Sequence, residues 1–203
     1  GNFGDALGCE YARRMGLPVA KLVMPTNEND EFPRFLETGR YEKISPSRAC
    51  LSNAMNVGHP SNLARFFDLY GGTVDRNGVV HRIPDIEEMR KHIHSVSISD
   101  RETKKTIKRV YDQYKVLLEP HGAVGWRGLE VYLELFGDTP LCISLETAHP
   151  AKFPDEIRDL LGINPDLPQS MKDIDERSGH PVFLRADYDE FGAYLKEHLR
   201  VTG

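Results

Sequence analysis

The first residues of the chain have the types and spacing of a phosphate-binding turn. Gly1-Asn2-Phe3-Gly4-Asp5 opens directly into an amphipathic pattern in which Phe3, Leu7, Tyr11 and Met15 recur every four residues. Glycines let backbone N–H groups approach a phosphate, and a helix N-terminus adds unpaired donors and a partial positive charge. We therefore predict a phosphate-bearing cofactor here, against the alternative of an ordinary helix-initiating turn. A phosphate loop normally follows a strand, and none precedes this one, so the pattern predicts a chain that starts mid-fold.

Two further loops carry polar groups that could face the same ligand. The pattern predicts a buried strand over Leu141–Leu145, and Glu146-Thr147-Ala148-His149-Pro150 follows its end. Glu119-Pro120-His121-Gly122-Ala123 interrupts two helical patterns. Ligands bind at the carboxyl edge of parallel sheets, so these loops are expected to converge there. The hydroxyl of Thr147 offers a neutral partner to a ring nitrogen, and the alternative for Thr147 is a helix or turn cap.

Other chemistries find little support in the residue spacing. The eight histidines form no His-x-x-x-His pair, and none is grouped with Cys or Asp at ligand spacing, so no metal site is predicted. No Gly-x-Ser-x-Gly elbow and no Walker lysine are present, which argues against a serine hydrolase and a P-loop nucleotidase. The basic run from Lys104 to Arg109 is short and has acidic neighbours, as on a solvated helix face.

Composition narrows the class of protein further. The net charge of −5, with both signs interspersed over 203 residues, argues against a general nucleic-acid binder. No apolar run approaches 18 residues and no signal peptide opens the chain, so neither a membrane span nor export is predicted. Cys9, Cys50 and Cys142 lack the spacing of a disulfide frame, and they indicate free thiols in a reducing cytoplasm.

The order of the predicted elements indicates an α/β protein with a parallel sheet. A helix closed by Gly16 is followed by a strand over 19–24, a polar turn over 25–30 and a helix over 31–37. A long loop is predicted over 41–60 and a hairpin turn over 75–78. The remaining predictions are a strand over 95–99 and helices over 63–70, 84–93, 100–118, 124–136, 152–161 and 188–199.

Several longer motifs occur in the order of one known family. They are Gly1-Asn2-Phe3-Gly4-Asp5, Thr26-Asn27-Glu28-Asn29-Asp30, Arg34-Phe35-Leu36-Glu37-Thr38-Gly39, Ser61-Asn62 with Arg65, Glu119-Pro120-His121 and Thr147-Ala148-His149-Pro150-Ala151-Lys152-Phe153. Together they cover most of the chain, and in this set and order the chain resembles threonine synthase. Motifs of this length in register are far more specific than one Gly-rich loop.

The resemblance implies a pyridoxal 5'-phosphate (PLP) enzyme of fold type II, with the tryptophan-synthase-β-like architecture. Its fold is a three-layer α/β structure, a parallel sheet flanked by helices. The family converts O-phospho-L-homoserine and water to L-threonine and phosphate, a carbon–oxygen lyase reaction of threonine biosynthesis. By motif match, Gly1, Asn2, Phe3, Gly4 and Asp5 hold the cofactor phosphate, and Thr147 is the partner of the pyridine nitrogen. A hydroxyl there does not enforce ring protonation, which tunes the cofactor's electron sink.

The sequence also departs from the family pattern. The family's Schiff-base lysine lies in a Ser-Phe-Lys-Asp motif upstream of the phosphate loop, and no such motif occurs here. No catalytic residue is therefore assigned within this chain. Asn53 and Asn56 stand where the family tends to have Pro and Asp, a change expected to loosen that loop.

These observations lead to the expectation of a C-terminal fragment of threonine synthase. Residues 1–203 would be the remainder of the large cofactor domain plus a C-terminal helical extension, inactive alone. One alternative is a threonine-synthase-like phospho-lyase, and another is a non-catalytic fragment that binds a ligand or complements a separate N-terminal chain. Because half of an α/β domain exposes sheet edge or core surface, self-association or pairing with the missing half is expected.

Overall fold

The computed structural model describes residues 3–137, 141–172 and 178–199. The chain divides into two compact units, Gly1–Asp166 and Leu167–Gly203. The helices of the first unit are α1 (Gly4–Arg14), α2 (Glu31–Thr38), α3 (Leu63–Leu69), α4 (Ile86–His92), α5 (Asp100–Tyr114), α6 (Pro120–Phe136) and α7 (Pro154–Leu161), with 3-10 turns at Asn53–Met55 and Pro150–Lys152. Its strands are β1 (Leu22–Val23), β2 (Thr73–Val74), β3 (Val80–Arg82) and β4 (Ile93–His94). The second unit contains a 3-10 turn at Gln169–Met171 and α8 (Tyr188–His198).

A parallel pair of strands lies at the centre of the first unit. β1 pairs with β4 in the register Leu22–Ile93 and Val23–His94, and a further parallel bridge joins Thr26 to Ser97. Successive strand residues face opposite sides of a sheet. Accordingly, Ile93 is buried in the core formed by α1 to α4, whereas His94 stacks against Tyr132 and Phe136 of α6. Helices therefore pack against both faces of this strand pair.

Two apolar clusters hold the first unit together. The larger one is aromatic, and four of its phenylalanines have exposed fractions of 0–1%: Phe32, Phe35, Phe66 and Phe67. The smaller one joins α5, α6 and α7 through Ile107, Val110, Leu118, Ala123 and Ile157. Most of these residues lie on the apolar stripes that the helices turn inward, although Tyr11 and Met15 of the predicted α1 stripe are 42% and 87% exposed.

Side chains cap several of the helix starts, and the start of α5 lies where it was predicted, whereas α4 begins two residues after and α6 four residues before the predicted positions. Ser99 and Glu102 form a reciprocal capping box at the start of α5. Asp85 caps α4 by accepting from the backbone N–H of Glu88. Glu119 caps α6, which begins at Pro120, so the predicted break between the two helical patterns is a capped helix start.

The predicted α/β class with parallel pairing is confirmed, but the buried strand over Leu141–Leu145 is wrong. This segment belongs to no strand or helix, and Leu141, Ile143 and Leu145 are 78%, 72% and 59% exposed. A strand forms only when a neighbour completes its hydrogen-bond ladder, and no described element pairs with this one. Within the described ranges the parallel sheet has two strands, smaller than the sheet that was expected. None of the helices described is both long and apolar enough to cross a bilayer.

A close contact between α6 and the end of β1 leads to a first prediction. A Cβ added to Gly128 would lie 2.6 Å from the Cγ of Pro25, a rigid ring that has little freedom to move. We expect Gly128→Ala to lower the free energy of unfolding by about 2 kcal/mol, because overpacking outweighs the gain in helix propensity. Urea unfolding measures the change.

The matched control is Gly125→Ala, one turn earlier on α6. Its Cβ would lie 3.3 Å from the hydroxyl of Ser144 and otherwise meet little. We expect no loss there and a gain of up to about 1 kcal/mol from helix propensity. Equal effects at both positions would contradict the proposed packing against Pro25.

Candidate functional site

A buried network of amides lies at the carboxyl end of β1. The side-chain amide of Asn27 donates to the Ser52 hydroxyl at 3.1 Å and to Asn56 Oδ1 at 2.9 Å. Asn27 Oδ1 accepts from the backbone and side-chain N–H groups of Asn29 at 3.0 and 2.9 Å. Asn27, Asn29 and Ser52 are each at most 2% exposed. The turn after β1 is therefore fixed to the loop that carries Ser52 and Asn56.

The same loop, residues 48–56, is held at several other points. Asn29 exchanges hydrogen bonds with the backbone of Arg48, and Asp100 accepts from the Leu51 N–H at 3.0 Å. Asn56 Oδ1 accepts from the Cys50 N–H at 3.1 Å, while its amide donates to the Cys50 carbonyl at 3.2 Å. A carboxylate could not make the second bond, because it has no proton to donate. The expected loosening of the loop is therefore not seen at Asn56.

His121 connects this loop to the start of α6. Its Nε2 accepts from the Ala54 N–H at 3.1 Å, and its Nδ1 lies 2.6 Å from Glu119 Oε2. A backbone N–H only donates and a carboxylate only accepts, so Nδ1 carries the ring proton. The side chains of His121 and Glu119 are 8% and 0% exposed. The imidazole is thus held in one tautomer between two elements.

Glu119 uses both carboxylate oxygens. Oε2 accepts from the backbone N–H of His121 at 2.9 Å, and Oε1 accepts from that of Gly122 at 2.8 Å. Burial alone would raise the pKa of Glu119, but the hydrogen bonds from His121 and from the two backbone N–H groups bring that pKa below its usual value. The carboxylate is therefore kept ionised at the positive end of the helix.

The segment after residue 145 approaches the same place. The Glu146 carboxylate lies over Gly122, where it occupies the space that a Cβ on residue 122 would fill. Although Glu146 is exposed as a whole, loss of solvent around its carboxyl raises its pKa to about 7, and the charge of Glu119 adds to the rise. The ring of Phe153 lies 5.4 Å from that of His121. The 119–122 and 146–153 segments therefore meet at His121.

The start of α1 has the features of an anion site. Phe3, the N-cap residue, adopts a left-handed conformation with φ 58°, and its own side chain makes no capping hydrogen bond. The Leu7 N–H donates to the Phe3 carbonyl, which leaves the N–H groups of Gly4, Asp5 and Ala6 at the first turn. A Cβ on Gly4 would meet nothing within 4 Å. The Phe3 ring packs edge-on against Phe32, which anchors this turn on the first core.

Comparison with known proteins points to one family. A family model described as "Threonine synthase, C-terminal" matches residues 123–194. The threonine synthase of Pseudomonas aeruginosa is 35% identical over 217 residues, covering 98% of this chain and 44% of that protein. That of Saccharomyces cerevisiae is 36% identical, covering 98% of this chain and 45% of that protein. Over nearly its whole length, the chain is thus similar to threonine synthases.

Solved threonine synthases share the backbone arrangement as well. The PLP-bound enzyme from Brucella melitensis superposes with a TM-score of 0.83 at 31% identity, covering 98% of this chain and 45% of that one. The yeast threonine synthase gives a TM-score of 0.81 at 31% identity, covering 98% and 46%. The chain thus spans a little under half the length of these threonine synthases.

The structure places the predicted threonine synthase site residues in two groups. Phe3, Gly4 and Asp5 form the start of α1, and Gly1 and Asn2 lie outside the described residues. Thr147 is exposed in the extended segment that follows residue 141. Of the three loops expected to converge, 119–122 and 146–150 meet, whereas the ring contacts of Phe3 are with the first core.

The sequence pattern did not predict that the 48–56 loop lies at this site. Its only signal was the resemblance of Ser52–Asn56 to a family motif, which carried no role. Within the described ranges, no group of three or more His, Cys, Asp and Glu side chains is placed to hold a metal ion.

Proposed function

We propose that this chain is the C-terminal part of a PLP-dependent threonine synthase that converts O-phospho-L-homoserine and water to L-threonine and phosphate. The observation that carries the proposal is the agreement with PLP-bound threonine synthase over 98% of the chain. In this proposal residues 1–203 are the remainder of the cofactor domain with its helical extension. The Schiff-base lysine belongs to the part of the enzyme that this chain does not span.

The start of α1 fits the phosphate of PLP. The backbone N–H groups of Gly4, Asp5 and Ala6 at the first turn supply donors, the helix supplies positive potential, and the missing side chain at Gly4 lets an anion approach the backbone. We propose that Gly1 to Asp5 hold this phosphate and that the Thr147 hydroxyl pairs with the pyridine nitrogen. PLP, when bound, supplies an electron sink for the carbon chemistry of the substrate.

The exposed 141–145 segment supports the proposal that a larger sheet is completed elsewhere. Leu141, Ile143 and Leu145 alternate as in a strand, yet each is more than half exposed. We propose that this segment becomes a strand of the three-layer parallel sheet when the N-terminal part of the enzyme is present. That part would cover the apolar side chains, and the chain alone would self-associate.

The experiment compares two proteins, the chain Gly1–Gly203 and the longest reading frame that contains it. Each is assayed with O-phospho-L-homoserine and PLP for threonine, phosphate and 2-oxo acid. We expect threonine and phosphate in equal amounts from the longer protein and no turnover from the chain alone. A 2-oxo acid without threonine would assign the alternative phospho-lyase activity, and threonine from the isolated chain would overturn the assignment of the lysine to the other part.

A substitution in the anion site gives a second prediction. Gly4→Asp puts a negative side chain in the open space before the first turn of α1. We expect the affinity of the longer protein for PLP to fall at least about tenfold, because the carboxylate repels the phosphate and blocks the N–H groups. Absorbance titration with PLP measures the change.

The matched control is Gly8→Ala, a glycine of the same helix with nothing within 4 Å of an added Cβ. We expect its PLP affinity to stay within about twofold of the unsubstituted protein. Unchanged binding in Gly4→Asp would place the phosphate elsewhere.

A further inference from the structure

We propose that His121, held as the Nδ1–H tautomer by Glu119, is a positioning residue that seats the 48–56 loop against the substrate. The proposal deepens the proposed function and rests on it. Three observations carry it. They are the hydrogen bonds that link Glu119, His121 and Ala54, the burial of both ionisable side chains, and the position of these bonds where the 48–56, 119–122 and 146–153 segments meet.

The hydrogen bonds determine the direction of each proton. Ala54 N–H must donate to Nε2, and Glu119 Oε2 must accept from Nδ1–H. A proton on Nε2 would set two donors against each other, so a doubly protonated ring would release the loop. Glu119 is fully buried and keeps its charge, which holds the single proton on Nδ1.

The tip of the loop depends on this contact. Asn53 and Ala54 form the exposed part of its 3-10 turn, whereas Ser52 on one side and Asn56 on the other are tied to Asn27. His121 thus adds the link from the tip to α6. Its ring also packs on Phe153, in the segment that carries Thr147.

The chemistry of the loop points to the substrate side of the site. Its exposed tip carries the amide of Asn53, and its Ser52 and Asn56 side chains hold it at the carboxyl end of β1, where ligands of parallel sheets bind. The anion site at α1 and the hydroxyl of Thr147 account for the two ends of the cofactor without using these groups. Moving the loop should therefore change substrate binding and leave cofactor binding nearly intact.

The test uses the longer, PLP-loaded protein with three substitutions. His121→Phe keeps a ring against Phe153 and removes both hydrogen bonds. His121→Gln keeps a carbonyl oxygen that can accept from the Ala54 N–H. In the unsubstituted protein, both carboxylate oxygens of Glu119 accept hydrogen bonds from N–H groups. Glu119→Gln has the same shape, but its NH2 group replaces one of these oxygens and must therefore face a backbone or ring N–H donor. His81→Phe, at an exposed His–Asp pair, is the matched control.

We expect KM for O-phospho-L-homoserine to rise about tenfold in His121→Phe and Glu119→Gln, with kcat and PLP affinity changing less than about threefold. Amide exchange of the peptide containing Ala54 should accelerate about tenfold in His121→Phe and recover in part in His121→Gln. The ¹⁵N shifts of the His121 ring in the unsubstituted protein should show a protonated Nδ1 and a bare Nε2. The control should match the unsubstituted protein in all three measurements.

The outcomes separate the two proposals. A protonated Nε2, or wild-type exchange at Ala54 in His121→Phe, would overturn the positioning role whatever the enzyme makes. Wild-type KM in all three variants of an active enzyme would overturn it as well. An unsubstituted protein that makes no threonine, with the expected tautomer and exchange, would count against the proposed function alone. If His121→Phe does not fold, the ¹⁵N chemical shifts of the His121 ring in the unsubstituted protein and the KM values of the two glutamine variants still test the positioning role.

Discussion

Glu10→Ala is expected to lower the free energy of unfolding by about 3 kcal/mol at pH 7. The Glu10 side chain is fully buried on α1. Its carboxylate accepts from Arg13 Nε at 2.8 Å, from Arg14 Nε at 2.7 Å and from the Tyr70 hydroxyl at 2.9 Å. It thereby ties α1 to the end of α3.

Removal of this carboxylate leaves two guanidinium groups facing each other with no counter-charge. Arg13 and Arg14 have side-chain exposures of 17% and 36%, so water screens part of their repulsion. The expected loss therefore lies at the lower end of the range for breaking a buried ion pair. Glu10→Gln keeps the volume and loses the charge, and it should show most of the same loss. Urea unfolding of both variants measures it.

The effect should depend on pH in one direction. Burial would raise the pKa of Glu10, but hydrogen bonds from Arg13, Arg14 and Tyr70 bring it to about 2, below its ordinary value of 4.5. The stabilisation is therefore fully present above pH 4.5 and is lost as the pH falls toward 2. The stability difference between Glu10→Gln and the unsubstituted protein should shrink over this interval. A constant difference from pH 7 to pH 3 would show that the charge is not the cause.

Glu10 also shows which features of the structure could not be predicted from the sequence. The four-residue spacing of Phe3, Leu7 and Tyr11 correctly predicted α1, because helical periodicity is a local property of the chain. The same pattern gave no role to Glu10, whose partner Tyr70 lies 60 positions away. Glu31 is another example, 1% exposed, with a pKa raised to about 7 mainly by burial. Burial of a charged group depends on distant contacts that the periodicity does not contain.

The strands show the same limit from the other side. The alternation of Leu141, Ile143 and Leu145 is typical of a buried strand, yet these residues are exposed in this chain. Alternating apolar residues show that a segment has one face that can be buried, but a neighbouring strand must be present for the segment to pair and bury that face. In contrast, β1 and β4 form a parallel pair because both lie within the chain, although β4 is Ile93–His94 and not the predicted strand over 95–99.

The candidate site was predicted only in part. Glu119-Pro120-His121 stood out as a break between helices, and the carboxylate proves to be a cap. The hydrogen bond from Ala54 to His121 spans 67 positions, and the ring contact with Phe153 spans 32. The type and spacing of the residues indicated that a loop was there, but only tertiary packing could show that it meets 48–56.

Gly58→Ala is expected to disrupt the loop that carries Ser52 and Asn56, with a loss of about 3 kcal/mol in the free energy of unfolding. A Cβ on residue 58 would lie 2.8 Å from both the carbonyl carbon and the Cβ of Ile44, and it would overlap the Ile44 carbonyl oxygen. Gly58 is buried, and its own carbonyl accepts from the Ile44 N–H at 2.8 Å. The two backbone segments are therefore too close to admit a methyl group without losing that bond.

The loss should be concentrated in the loop. Gly58 N–H donates to the Ser47 hydroxyl, and the adjacent His59 bonds to Tyr41 and to the carbonyl of Asp75, so a shift of residue 58 reaches both ends of the loop. Amide exchange of the Ile44 N–H should accelerate at least about a hundredfold, because its acceptor moves away. Gly8→Ala, with open space around the added methyl, makes the same chemical change and should leave Ile44 exchange unaltered. Slow exchange at Ile44 in Gly58→Ala would mean that the methyl group is accommodated without loss of the Ile44–Gly58 hydrogen bond. The close approach would then have no part in holding Ser52 and Asn56 at the end of β1.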